Sequence, residues 1–387
     1  MFFKPKTLLI FLSFASSLLI NAQNTQQAIT IDDLLALKKV SDVQISPDGK
    51  WVAYTVLEND IKKDKSLKRL YKIAITGGDP IAITGREFSA SQPQWSSDNK
   101  YLSFLASKGE DEKTQVWISN RLGGDAEVLT KIPQGVNKHI WSPTENKLLL
   151  VLTDPKPEEL TLSKEDDKKA KPYVIDRRQF KQDYVGYLDR YRNHIYTFTP
   201  GDSMATQFTF GDFDDSDPAW SPDGKKIAFV SNRTEDPDSN ADTNIWVVSV
   251  DSKKTDTTLV QVTTNQNQDD SPTWSPNGKY IAYKTVLNGK LLWYAGEKLA
   301  ISSSSGGQAS ILTENLDRNI SAPKFSTDGK TILFQLEENG TSVLASIDTK
   351  GKNFKRIIAG NISISGYDIQ AETIVPILGT ENRPNNL

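Results

Sequence analysis

The chain has 387 residues, enough for one large or two ordinary domains, with 37% hydrophobic and 25% charged residues. That balance excludes a disordered chain, and a net charge of −3 argues against the basic surface of a nucleic-acid binder. The absence of cysteine excludes disulfides and thiolate metal sites, so stability rests on packing alone.

Residues 1–22 have the pattern of a secretory signal. Lys4 and Lys6 supply the positive start, Thr7 to Ile20 is an apolar run too short to span a membrane, and cleavage is placed after Ala22. The mature chain, 23–387, is therefore expected to be periplasmic or secreted from a bacterium, with no membrane association after cleavage. Residues 30–39 then predict a short helix, with Thr30 as its cap.

From there a ten-residue unit recurs six times. A bulky residue is followed by Ser46-Pro47-Asp48-Gly49-Lys50 and a strand-like run, and variants begin at Ser96, Ser142, Ser221, Ser275 and Ser326. Proline presets φ, Asp bonds back to the backbone and Gly supplies positive φ, so each copy reads as a tight turn between two strands. A second turn recurs downstream, at Gly77-Gly78, Gly123-Gly124 and Gly306-Gly307. Two hairpins per unit make a four-stranded blade, and the repeat predicts an all-β propeller. Blades are expected at 40–84, 85–130, 131–210, 211–263, 264–313 and 314–358. Residues 359–387, around Gly366-Tyr367-Asp368, read as the start of a seventh, incomplete blade.

The third blade carries an insertion at 153–195. Its first part is charged, and its second part, 172–196, is crowded with Tyr and Arg. Arg177, Arg178, Tyr184 and Tyr187 are the candidate substrate-binding residues. An Arg fork can hold a peptide carboxylate or carbonyl, and Tyr offers a ring with a polar tip. A cross-strand ladder of aromatics and salt bridges explains the same composition.

No catalytic set emerges. Gly201-Asp202-Ser203-Met204-Ala205 is the nearest approach to a nucleophile elbow, but it falls where a blade's second hairpin turn belongs. His139 and His194 are the two histidines, and both read as strand residues. Asp212, Asp214, Asp215 and Asp217 could suggest calcium, but Asp269 and Asp270 stand at a matching place before Trp274, which favours a turn device. No cofactor and no metal are expected.

Segment 29–56, which opens Ile29-Thr30-Ile31-Asp32-Asp33, resembles the start of the prolyl oligopeptidase family of serine peptidases, in its acylaminoacyl-peptidase and dipeptidyl-peptidase V branch. Segments 174–187 and 192–196 resemble the mid-propeller region of those enzymes. The resemblance implies a propeller that caps a Ser-Asp-His α/β-hydrolase domain and limits access to short peptides. No Gly-x-Ser-x-Gly elbow occurs in the chain. The expectation is thus a substrate-gating propeller truncated before its catalytic domain and inactive alone, with a peptide and the missing hydrolase domain as partners. The alternative is a stand-alone periplasmic TolB-like propeller that binds a protein or peptide.

Overall fold

A computed structural model describes residues 28–86, 88–109, 112–155, 174–183, 185–188, 190–250 and 259–387. The segment read as a signal, 1–22, lies outside them. The chain divides into two compact units, Met1–Ala36 and Leu37–Leu387. In the first, Ile31–Ala36 is helical. Thr30 Oγ1 accepts the Asp33 N–H at 3.1 Å, and Asp33 Oδ2 accepts the Thr30 N–H at 2.9 Å, a reciprocal cap. Among the described residues no helix is long and apolar enough to cross a membrane.

The second unit is a seven-bladed β-propeller. Six antiparallel sheets have four strands each, taken in chain order, and the last sheet has three. The first strands of the blades are Lys39–Ile45, Ser91–Trp95, Lys138–Trp141, Asp215–Trp220, Asp269–Trp274, Ile320–Phe325 and Ser363–Gln370. Those of blades 3 to 6 together line a cavity of about 310 Å³.

The repeated turn has one hydrogen-bond design. Ser46 Oγ donates to Asp48 Oδ1 (2.7 Å) and accepts the Trp51 N–H (2.9 Å), while the Gly49 N–H bonds the Ser46 carbonyl (2.8 Å). The same bonds recur at Ser96, Ser221, Ser275 and Ser326. Gly224 has a second reason to be glycine. Its φ is +69°, and a Cβ there would lie 2.3 Å from Thr144 Oγ1 of the neighbouring turn.

Second strands such as Tyr101–Ala106 and Lys226–Ser231 bury five residues in succession, because both faces of each sheet are covered by adjacent blades. The described core accordingly falls into seven clusters, one per blade interface. Phe88, Trp95 and Phe104 pack between blades 1 and 2, and Val43, Val52 and Ile377 between blades 7 and 1.

The first strands of blades 1, 2, 4, 5 and 6 each carry a β-bulge, and the bulged residue is left-handed though not glycine: Asp42, Gln92, Asp217, Ser271 and Ala322, with φ between 44° and 56°. In four of them the next residue is proline, which has no N–H for the interrupted ladder to satisfy.

Candidate functional site

The insertion in blade 3 is a strap. Its two-stranded hairpin pairs Lys181 with Tyr187 and Gln182 with Gly186. It leaves the sheet after Leu148–Asp154 and returns as Arg192–Phe198. A polar network clamps the stem. Asp154 accepts from Tyr196 OH (2.5 Å), Gln207 Nε2 (3.1 Å) and His194 Nδ1 (2.8 Å), and His194 Nε2 lies 3.0 Å from the Gly211 carbonyl. Burial, and then the Asp154 carboxylate, push the Tyr196 hydroxyl pKa well up.

Arg177 forks onto Asp238 of blade 4, with Nε 3.1 Å from Oδ2 and Nη2 2.5 Å from Oδ1. Its side chain is only 11% exposed. Arg178, one residue on, is exposed and reaches Asp236 Oδ2 at 3.8 Å. The exposed Tyr187 ring has the Lys181 ammonium 5.9 Å from its centre. Tyr184 lies outside the described residues.

Of these candidates, Arg177 is the one that lines a cleft of about 190 Å³ between strap and blade 4. Arg192, Asp212, Asp214, Ser231 and Asp238 line it too. Arg192 binds Asp212 (2.7 Å) and Asp214 (3.0 Å). Burial opposes the Arg192 charge, but the two carboxylates outweigh it and raise its pKa, and Arg192 in turn lowers that of Asp212. Ser231 is almost fully buried and stands opposite Asp215 across the blade 4 sheet, where its hydroxyl favours the carboxylate.

The four aspartates before Trp220 diverge. Asp212 and Asp214 hold Arg192, and Asp217 holds Lys138 at 2.9 Å. Asp215 is fully buried against Arg233 (2.8 Å), whose guanidinium lies over Phe213 at 4.9 Å. Burial raises the Asp215 pKa despite that partner. Asp215 and Asp269 occupy the same place in successive blades. Sequence reasoning therefore found the recurrent position but not the pairing of its neighbours with Arg192.

Ser203 lies in the connection between Arg192–Phe198 and Thr206–Gln207, a hairpin turn. A Ser–His pair does exist. His139 Nε2 is 2.8 Å from Ser103 Oγ, but both residues are sealed from solvent, and Ser103 Oγ also contacts Trp141 Nε1 (2.8 Å) and the Gln94 carbonyl (3.1 Å). Burial lowers the His139 pKa to about 3, and its Nδ1 has no partner to orient it. The pair belongs to the seam between blades 2 and 3.

Residues 187–366 match the family model described as the TolB beta propeller domain. Dipeptidyl-peptidase 5 of Porphyromonas gingivalis is 23% identical over 390 residues, covering 94% of this chain. The chain spans 54% of that relative's length. The fold is similar to Pyrococcus horikoshii acylaminoacyl peptidase (TM-score 0.70, 17% identity, 91% of this chain and 51% of that one). It is also similar to the β-propeller domain of the Trilobed protease from Pyrococcus furiosus, described as having an open velcro topology (TM-score 0.62, 17% identity, 90% and 93%).

Proposed function

We propose that this propeller, which has relatives named as peptidases, gates substrate for an exported serine exopeptidase of the prolyl oligopeptidase type. The alignment of 94% of the chain with a dipeptidyl-peptidase 5 carries the reading. The strap supports it locally. Arg177 and Arg192 beside Asp212, Asp214 and Asp238 give one cleft both signs of charge, which suits the terminus of a short peptide. In this reading the propeller receives and sieves the peptide, and the bond is cut by a hydrolase domain that is not among these residues.

The test uses the full chain. Chromogenic aminoacyl and dipeptidyl substrates should not turn over, while calorimetry should detect binding of free-amino tripeptides, weakened about tenfold by Arg177→Gln. Turnover blocked by a serine-reactive phosphonate would overturn the division of labour. Absence of peptide binding would overturn the gating role.

A second reading, a stand-alone propeller for a protein partner, draws on the match of 187–366 to the TolB beta propeller domain. It predicts retention of a folded protein and indifference to short peptides.

A further inference from the structure

The strap meets blade 4 with charge rather than apolar surface. None of its described residues between 174 and 190 is buried, and Val174, Ile175 and Val185 are each more than half exposed. Its cations face acids of the body: Arg177 on Asp238, Arg178 near Asp236, and Arg190 4.0 Å from Asp212. Arg190 also binds Asp176 Oδ2 at 2.9 Å, which ties the two ends of the strap together. Arg177 and Gln179 form the strap's wall of the cleft, with Ser231 and Asn232 on the blade 4 side.

We infer that the strap is an ionic latch: it closes the blade 4 cleft through Arg177–Asp238 and the outer pairs, and rising ionic strength releases it while the blades stay folded. A surface docked by apolar burial would hold or tighten in salt. Pairs 3.8–4.0 Å apart at exposed positions are screened once the Debye length falls from about 10 Å at 0.1 M to about 3 Å at 1 M. The largely sealed Arg177–Asp238 fork is screened less and sets the residual closure. Release would free the Arg177 fork for an incoming group. This inference concerns regulation of the site proposed above and rests on that reading only for what the latch controls. It is measured without peptide, so its failure is distinct from a failure of peptide binding.

Because the chain has no cysteine, two introduced ones label cleanly. Full-length Val185→Cys/Glu235→Cys, spin-labelled, should give one short distance by pulsed electron resonance at 0.05 M NaCl. A longer population should grow about tenfold relative to the short one at 1 M NaCl, and to a similar degree with Arg177→Gln at low salt. The swap Arg177→Asp/Asp238→Arg should restore the short distance. A control pair, Lys330→Cys/Lys350→Cys on blade 6, should not change. A distribution indifferent to salt overturns the latch even if Arg177→Gln fails to fold. So does a salt response shared equally by the blade 6 pair.

Discussion

Ser221 shows what the recurring turn residues do. Its hydroxyl accepts the Lys226 N–H at 2.8 Å, donates to Asp223 at 2.6 Å, and holds the Asp223 pKa below the usual carboxylate range. Ser221→Ala strands that N–H, and urea unfolding should register a loss of about 1–2 kcal/mol. Ser142→Ala should cost less, because the third copy has Thr144 where the others have Asp or Asn, and its amide bonds are longer, 3.2 and 3.4 Å. Equal losses would show that the hydroxyl bridge is not what the repeat preserves. His139 acts through pH. Its ordinary value of 6.5 is lowered to about 3 by burial, so below pH 6.5 the unfolded chain takes up a proton that the folded chain refuses. Stability is present above that pH and lost as pH falls toward 3, at up to about 1.4 kcal/mol per pH unit from this one group. His139→Gln should flatten the fall between pH 6.5 and 4.5 when unfolding free energies are compared with the parent. A parallel pair of curves would refute the assignment.

At the scale of the element, the tryptophan before four of the six turns bonds its blade to the preceding one. The Trp95, Trp220 and Trp274 indoles donate to the carbonyls of Gln44, Ile140 and Ala219 at 3.1–3.3 Å, and Trp141 donates to Ser103. In blade 7 the Tyr367 hydroxyl reaches the Ala322 carbonyl at 2.7 Å. Trp274→Phe keeps a ring but deletes the donor, and should lower stability by about 1–3 kcal/mol in thermal or urea unfolding. No measurable loss would reduce the indole to a filler. These links explain how much was legible. The turn shows in the sequence because five of its six copies use the same serine bonds, and the bulky residue because four of the six are tryptophans bonded to the preceding blade. The bulges do not: Asp42, Gln92, Asp217, Ser271 and Ala322 share a backbone shape but no chemistry, and only the proline after four of them gives a sign. A third device was readable and missed. The buried hydroxyls of Thr84, Thr130, Thr209, Thr263 and Thr313, just past the fourth strands of blades 1 to 5, cap N–H groups of Leu70, Val116, Ile195, Ile245 and Leu299. Arg177 could be picked out as a charged fork, but its partner Asp238 is 61 residues away and only the blade order brings them together.

Closure of the ring is a property of the whole molecule. Among the described residues no strand is shared between blades 7 and 1, since every sheet they form is drawn from one continuous stretch of chain. The seam is held by side chains instead. Asp368 Oδ2 accepts the Ile45 N–H at 2.7 Å, its Oδ1 binds the Lys324 ammonium at 2.6 Å, and Gln370 Nε2 donates to the Pro47 carbonyl at 3.0 Å. One carboxylate therefore ties blade 7 to both neighbours, over the apolar contact of Val43, Val52 and Ile377. Asp368→Ala leaves the Ile45 amide without its acceptor and the Lys324 ammonium with only the Tyr367 carbonyl at 3.3 Å, and should cost about 2–4 kcal/mol. The distribution of that loss matters more than its size. Trp274→Phe acts at an inner seam, where chain continuity keeps the blades together after the bond is gone. Asp368→Ala acts where only side chains oppose separation. Hydrogen exchange should therefore show blade 7 and Lys39–Ile45 opening before the remaining blades in Asp368→Ala, with calorimetry broadening or splitting into two transitions, while Trp274→Phe unfolds in one step. If protection in Asp368→Ala falls uniformly around the ring, closure is carried by the apolar seam and not by the carboxylate.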